Sequence, residues 1–169
     1  HGPDGLRNIG SRVHGQTRVL AHGLQGMEGV SVPSALDFFD TIRVSLADHD
    51  TAERVVAECE RREINVFYRE HHNEGPGVTI SLDETTTDQH LVDLFEVFAT
   101  VLGQTDKLPT LKLDTLRSDT EELYGATNRR ESSFLTHPVF NSYHSEMEMT
   151  RYLHRLASKD LSLCDAMIP

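Results

Sequence analysis

The sequence predicts an α+β fold: a small, mostly antiparallel sheet with helices on one face. Two long stretches, near the start and around residue 90, have apolar residues at helical spacing. Three shorter stretches are rich in β-branched and aromatic residues, as strands are. With a further short helix, the predicted order is helix, strand, helix, strand, strand, helix, which is typical of helices layered on a small sheet.

The first predicted helix runs from Asp4 to Met27. Internal glycines weaken it by about 1 kcal/mol each relative to alanine, so tertiary packing must hold it straight. Gly26 and Gly29 are expected to end it. Its apolar residues form one stripe: Leu6, Ile9, Val13, Leu20, Leu24 and Met27. Its internal glycines are Gly10, Gly15 and Gly23.

The next two predicted elements are a strand over 37–46 and a helix that ends near Arg62. The strand is indicated by the β-branched and aromatic content of "DFFDTIRVSL". Asp50 or Thr51 is expected to cap the helix, because a side-chain oxygen there can accept a free backbone N–H. The buried face of this helix is predicted to consist of Ala52, Val55, Val56 and Cys59.

Two strands, 64–70 and 77–83, are predicted next, joined by a hairpin-like loop from His71 to Pro76; a longer path between them is the alternative. The following helix is predicted to start with a capping box formed by Thr86 and Gln89 and to stop at Gly103. Its wide apolar face is Leu91, Leu94, Phe95, Phe98 and Leu102.

The rest of the chain is predicted to be a linker over 104–133 and an arm plus helix over 134–169. The linker is polar and aperiodic, with a short helical turn expected near Asp119–Tyr124. Pro138 restrains His137 to an extended conformation, so 136–140 is predicted to be non-helical. The apolar residues of the arm are expected to pack on a neighbouring lobe: Phe134, Leu135, Val139 and Phe140. The final helix runs from about Ser145 to Lys159, capped by Ser142, His144 or Ser145.

Composition excludes several classes of function. The chain has 16 basic and 27 acidic residues, so a nucleic-acid partner is not expected. No apolar run has the roughly 20 residues that a membrane helix needs, which predicts a soluble protein with no membrane partner. Cys59 and Cys164 are far apart, without metal-site spacing, and are expected to be unpaired, buried thiols. The ends, "HGPDGL" and "CDAMIP", suggest a piece of a longer protein.

No metal site is predicted, because the ten histidines lack a zinc-binding spacing. His71 and His72 are interpreted as solvated loop residues. Asp83 and Glu84 are either a pair of catalytic carboxylates or residues that cap a helix start and offset the positive end of its dipole. The second interpretation is favoured. The segment "FLTHPVFNSYHSEMEM" is more simply an arm and helix start than a catalytic site.

The lysines are poor candidates for covalent catalysis. A Schiff-base lysine must lose its proton in a partly desolvated pocket. The chain has only Lys107, Lys112 and Lys159, each with an aspartate one or two positions away, which favours the charged form. We therefore expect no catalytic residue in this chain.

The stretch "FLTHPVFNSYHSEMEMTRYLHRLASKDLSLCDAMIP" resembles the P-protein family of the glycine cleavage system, glycine dehydrogenase (decarboxylating). The opening "HGPDGLRNIGSRVH" and the middle "ISLDETTT" resemble the preceding region of the same family, in matching order. The resemblance covers nearly the whole chain and is weakest across 104–128. It places residues 1–103 in the small lobe of the first, inactive half, 104–133 in a linker, and 134–169 at the start of the second half.

The resemblance implies a pyridoxal-phosphate enzyme of the aspartate aminotransferase fold type, which decarboxylates glycine and passes the aminomethyl group to the lipoyl arm of the H-protein. The family's lysine lies in a His-Lys pair, and no such pair occurs here. Thr136, His137 and Asn141 are the candidates to approach the cofactor in the intact enzyme. The fragment itself is expected to be inactive and to bind no cofactor.

The resemblance also implies partners and a location. The expected partners are the remainder of the P-protein chain, lipoylated H-protein and glycine. Independently of the resemblance, an exposed apolar arm would be free to pair with a neighbour, so a homodimer through Phe134–Phe140 is expected. The location would be the cytoplasm of a bacterium or the mitochondrial matrix of a eukaryote. The alternative hypothesis is a free-standing α+β module that binds a small or regulatory ligand through the sheet or the Val30–Ala35 loop.

Overall fold

A computed structural model describes residues 1–32, 38–68, 75–120 and 130–163. The chain divides into two compact units, one of residues 9–130 and one of residues 1–8 with 131–169. The larger unit is α+β, with a two-stranded antiparallel sheet, which confirms the predicted fold class. No helix in the described ranges is long and apolar enough to cross a membrane. The boundaries after residues 103 and 133 remain predictions.

Helix α1 runs from Gly2 to Gln25 and confirms the first predicted helix. The N–H of Met27 bonds to the carbonyl of Leu24, and the helix goes no further. Gly23 has a packing role, because a Cβ there would lie 2.5 Å from the ring of Phe95. The stripe is buried at Val13, Leu20, Leu24 and Met27.

The sheet consists of β1, Thr41–Ser45, and β2, Gly77–Ser81, paired antiparallel. The register places Ile42 opposite Ile80 and Val44 opposite Val78, and all four side chains are buried. This confirms strands within 37–46 and 77–83; residues 33–37 lie outside the described ranges.

The predicted strand 64–70 is wrong over its described part. Residues 64–68 form only one bridge, Phe67 with Thr79, and β2 pairs with β1 along its length. One cause lies at its start: Glu63 has φ 59° and the N–H of Ile64 bonds to the carbonyl of Cys59, so the end of the preceding helix holds this segment. Residues 69–74, including most of the predicted hairpin loop, lie outside the described ranges.

Helix α2, His49–Arg61, starts earlier than predicted. Its cap is Asp48, not Asp50 or Thr51: the Asp48 carboxylate accepts the N–H of Thr51 at 2.7 Å. The prediction failed because three neighbouring residues can all cap, and only the backbone path selects one. Ala52, Val55 and Cys59 are buried as predicted, whereas Val56 is only partly buried.

Helix α3, Asp88–Leu102, begins after Thr87 and ends at Gly103, which has φ 68°. The predicted capping pair is therefore wrong by one position: the N–H of Thr87 donates to His90 Nδ1. Thr86 instead accepts the N–H of Asp83 through its hydroxyl. The buried face is as predicted, except that Leu102 is only partly buried: Leu91, Leu94, Phe95 and Phe98.

The range predicted as a linker contains a 3-10 helix, Thr105–Thr110, and helix α4, Leu113–Thr120. Leu116 and Thr120 are buried, so α4 is packed against the core. The polar composition concealed this, since one leucine supplies the buried apolar contact of α4. The turn predicted near Asp119–Tyr124 lies mostly outside the described ranges.

The smaller unit contains a 3-10 helix, Pro138–Asn141, and helix α5, Glu146–Ala157. His137 is extended as predicted, with φ −65° and ψ 137°, but the expectation of a wholly non-helical arm over 136–140 is wrong. Ser145 caps α5: its hydroxyl accepts the N–H of Glu148, whose carboxylate in turn accepts from Ser145. Ser145 was one of three predicted caps.

Candidate functional site

The arm around residues 134–145 carries the three residues predicted to approach a cofactor. Thr136, His137 and Asn141 are all exposed. His137 Nδ1 accepts the N–H of Val139 at 3.1 Å, which starts the short 3-10 helix. The Asn141 amide donates to the carbonyl of Leu135 at 3.4 Å. Both side chains therefore shape the arm, and their exposed remainder faces solvent.

The backbone of the arm is strained at both ends. Leu135 has φ 51° and Tyr143 has φ 60°, in the left-handed region that side chains other than glycine seldom adopt. Such a residue costs on the order of 1–3 kcal/mol, and it persists where the surrounding structure holds it. The Tyr143 ring stacks on Tyr152 of α5 at 4.3 Å between ring centroids, which holds the second strained residue.

A cleft of about 770 Å³ lies in the same unit. Its polar side chains include Ser142, His144 and Glu146, whereas Thr136, His137 and Asn141 are not among the residues that line it. The structure thus separates the predicted candidates from this cleft. Its apolar walls consist of Leu6, Leu135, Val139, Phe140 and Met149.

None of the three lysines has the surroundings that a Schiff-base lysine requires. Lys112 and Lys159 are exposed. Lys107 is half-buried, and its Nζ lies 3.5 Å from the carbonyl oxygen of Gly26. A covalently bound pyridoxal cofactor needs a neutral amine in a partly desolvated pocket. The lysines of this chain do not fit that requirement.

A second cleft, of about 330 Å³, lies in the larger unit and was not predicted. Three arginines line it, Arg12 and Arg18 of α1 and Arg117 of α4. Arg12 donates to the carbonyl of Glu84, and Arg117 pairs with Asp88. These contacts link α1 to the 84–86 turn and α4 to α3. Sequence reasoning missed the cleft because it depends on α4, which lies in the predicted linker.

Asp83 has a structural role in this turn. Its carboxylate accepts from the hydroxyl and the N–H of Thr85, at 2.7 and 2.8 Å, and these hydrogen bonds lower its pKa. The preference for a structural interpretation over a catalytic pair agrees with this geometry. The predicted detail differs, because Asp83 stabilises the turn before α3 and Thr87 begins the helix.

Two buried titratable groups lie in the core. Burial raises the pKa of the Cys59 thiol to about 11, so this thiol is protonated and unreactive at neutral pH. His14 Nδ1 lies 2.8 Å from the carbonyl oxygen of Phe39 and donates to it. Burial, with a smaller effect of Arg18, lowers the pKa of His14. Cys164, His71 and His72 lie outside the described residues.

The side chains that bind metal ions such as zinc are mainly those of His, Cys, Asp and Glu. Among the residues that the structure describes, no three His, Cys, Asp or Glu side chains come together as a metal site would need. His137 instead has a local structural contact, since its Nδ1 accepts the N–H of Val139.

Comparison with known proteins adds a family to this geometry. The family described as "Glycine cleavage system P-protein" matches residues 1–98. "Glycine dehydrogenase (decarboxylating), mitochondrial" of Solanum tuberosum is 42% identical over 169 residues, 100% of this chain and 15% of that protein. "Glycine dehydrogenase (decarboxylating)" of Nostoc punctiforme is 43% identical over 172 residues, 100% of this chain and 16% of that protein. The protein of that name from Salmonella paratyphi B is 42% identical, with 100% and 16% covered.

Proposed function

The chain belongs to the glycine cleavage system P-protein family, and we propose that it is a non-catalytic part of a pyridoxal-phosphate glycine decarboxylase. One observation carries the proposal: relatives named glycine dehydrogenase (decarboxylating) align with 100% of this chain at 42–43% identity. The chain spans about 15% of the length of these relatives. A part of an enzyme explains that share better than a free-standing ligand-binding module does.

The proposed role of the chain is structural support for a site completed elsewhere. When bound, pyridoxal phosphate supplies an electron sink for the carbon that loses carbon dioxide. No step of that chemistry is assigned to this chain, because its exposed Lys112 and Lys159 and half-buried Lys107 do not fit the cofactor. Transfer of the aminomethyl group to the lipoyl arm of the H-protein would likewise use the whole enzyme.

The test of this proposal compares two proteins. The 169-residue chain, given pyridoxal phosphate and carboxyl-labelled glycine, should release no labelled carbon dioxide and show no absorbance of a lysine-bound cofactor. The full-length polypeptide with lipoylated H-protein should release it. Label released by the short chain, or an inactive full-length protein that binds cofactor normally, would contradict the proposal.

We propose that residues 1–103 form the small lobe of the first half, 104–133 the connection, and 134–169 the start of the second half. Thr136, His137 and Asn141 would then approach the cofactor in the full-length enzyme, which their exposure permits. His137→Ala in that enzyme should weaken cofactor binding by about tenfold if one hydrogen bond is lost. The control is His154→Ala on α5; equal effects of both substitutions would argue against a role for His137.

We also propose that this chain can self-associate and that its location follows its source. The exposed Phe140 and the rest of Phe134–Phe140 would form a homodimer, so truncation after Ser133 should give a monomer by size-exclusion chromatography. An unchanged elution volume would exclude that interface. The relatives include mitochondrial and bacterial proteins, so the proposed location is the matrix or the cytoplasm accordingly.

A further inference from the structure

Helix α5 is well formed, yet none of its 12 described residues is buried. Ser145 and Glu148 bond reciprocally at its start, and the N–H of Ser158 bonds to the carbonyl of His154 at its end. Local interactions therefore define both ends. They do not explain what stabilises its middle, because isolated helices of about 12–15 residues are marginal in water and most helical stability in proteins comes from packing an apolar face.

One side of α5 is apolar and only partly covered by the described residues, through the cleft that Met149 lines and the stack of Tyr152 on Tyr143. Met149 is 45% exposed, Leu153 57% and Leu156 41%, and Tyr152 lies beside them at helical spacing. This stripe of four side chains is called the α5 face below. The chain that follows continues it, since Leu161 and Leu163 are 89% and 78% exposed.

The α5 face has a fixed edge. Tyr152 stacks on Tyr143 with 12° between the ring planes, and the guanidinium of Arg155 lies 5.4 Å from the centre of the Tyr143 ring and 5.7 Å from that of Tyr152. Stacking and cation–π contacts of this kind hold aromatic rings in place. An apolar stripe beside an ordered edge suits a rigid, complementary surface.

We infer that the α5 face is an internal docking surface, covered in the full-length protein by the part of the same polypeptide outside these 169 residues. This inference rests on the proposed function, because it requires that the 169 residues work as part of a longer polypeptide. The whole of this chain aligns with only 15–16% of the length of its relatives. In a full-length protein of that size, most of the polypeptide that could cover the α5 face would therefore lie outside these 169 residues.

The size of the face favours the same chain over a second copy. Met149, Leu153 and Leu156 are each about half exposed, and Tyr152 is partly covered by Tyr143. The four side chains together therefore offer less than about 600 Å², since even a fully buried aromatic side chain accounts for about 150–250 Å². A specific interface between separate proteins buries about 800 Å² on each partner. An intrachain contact can be smaller, because covalent connection avoids most of the entropy lost when two molecules associate.

Cysteine accessibility in the full-length enzyme tests the inference. Leu153→Cys places a thiol on the α5 face, and Thr150→Cys places one at an exposed position of the same helix, in a background with Cys164→Ser and any other reactive cysteine replaced. Maleimide should label Leu153→Cys on the order of 100-fold more slowly than Thr150→Cys in the full-length protein, because a covered thiol reacts only after local opening. In the 169-residue chain both should react at similar rates. Cys59 should remain unlabelled.

Equal labelling of both positions in the full-length protein would overturn the inference. Protection of Leu153→Cys that disappears on dilution would assign the face to a second copy and would also overturn it. Hydrogen exchange of the α5 amides gives a measurement without substitution: they should exchange more slowly in the full-length protein. Glycine decarboxylation by the full-length protein is assayed in parallel. An active enzyme whose α5 face is accessible would contradict this inference alone. An inactive enzyme whose α5 face is covered would contradict the proposed function alone.

Discussion

Helices α3 and α5 are similar in sequence design and opposite in environment. Each begins after a threonine or serine that forms a capping box with the residue three positions later: Thr87 with His90 in α3, and Ser145 with Glu148 in α5. Each also has apolar residues at helical spacing. Yet α3 buries six residues, whereas the described α5 buries none. Capping and periodicity therefore indicate where each helix begins and which of its sides is apolar. What covers that side is a separate question, answered by the rest of the fold.

The largest expected effect compares one substitution in the two helices. Leu91 in α3 is fully buried and Leu153 in α5 is 57% exposed. Leu91→Ala should lower the free energy of unfolding by about 2–5 kcal/mol, because it leaves a cavity. Leu153→Ala should change it by less than about 0.5 kcal/mol in the 169-residue chain. Urea denaturation measures both. Similar losses would mean that the α5 face is covered within this chain, which would break the comparison.

A second prediction concerns the glycine that permits close packing on α3. Gly23→Ala places a Cβ 2.5 Å from the ring of Phe95 and should cost about 1–3 kcal/mol through overpacking. Gly15 in the same helix has open space around its Cβ position, so Gly15→Ala should stabilise by up to about 1 kcal/mol through helix propensity. The midpoint temperature of thermal unfolding should therefore fall for Gly23→Ala and rise for Gly15→Ala. Equal shifts would show that Phe95 relaxes away from the new methyl group.

Capping residues should have a smaller effect that differs between the units. Asp48→Ala removes the carboxylate that accepts the N–H of Thr51 and should cost about 1 kcal/mol of global stability. Ser145→Ala should destabilise α5 locally by a similar amount, about 1 kcal/mol, and leave global unfolding unchanged. Hydrogen exchange of the amides near 148–152 measures the local effect on α5, and urea denaturation measures the global stability. A global loss from Ser145→Ala would mean that α5 unfolds together with the larger unit.

The pH dependence should report on the core and not on α5. Burial lowers the pKa of His14, so the unfolded chain binds this proton more readily and stability should fall as the pH drops below the ordinary histidine pKa of about 6.5. His14→Gln should reduce this loss, measured as the free energy of unfolding between pH 7.5 and about 5. The comparison variant is His154→Gln on the exposed side of α5. A slope that survives His14→Gln would assign it to another group.

The predictable part of the candidate site was its local structure. His137 is extended before Pro138, and Ser145 caps α5, because both depend on near neighbours in the sequence. The left-handed backbone at Leu135 and Tyr143 was not predictable, since neither residue type favours it. Nor was the separation of Thr136, His137 and Asn141 from the cleft, which depends on how the strained arm turns.

Sequence alone predicted helices α1, α2, α3 and α5 and the apolar face of α3, because each depends on residue identity and spacing within a short stretch. Tertiary structure decided that β2 pairs along its length with β1 and forms only one bridge with 64–68, that α4 packs on the core, and that Gly23 admits Phe95. These outcomes depend on contacts between residues distant in sequence. The spacing of apolar residues along the chain does not specify such contacts, because several packing partners are compatible with the same pattern. Only the free energy of the whole fold selects one of them.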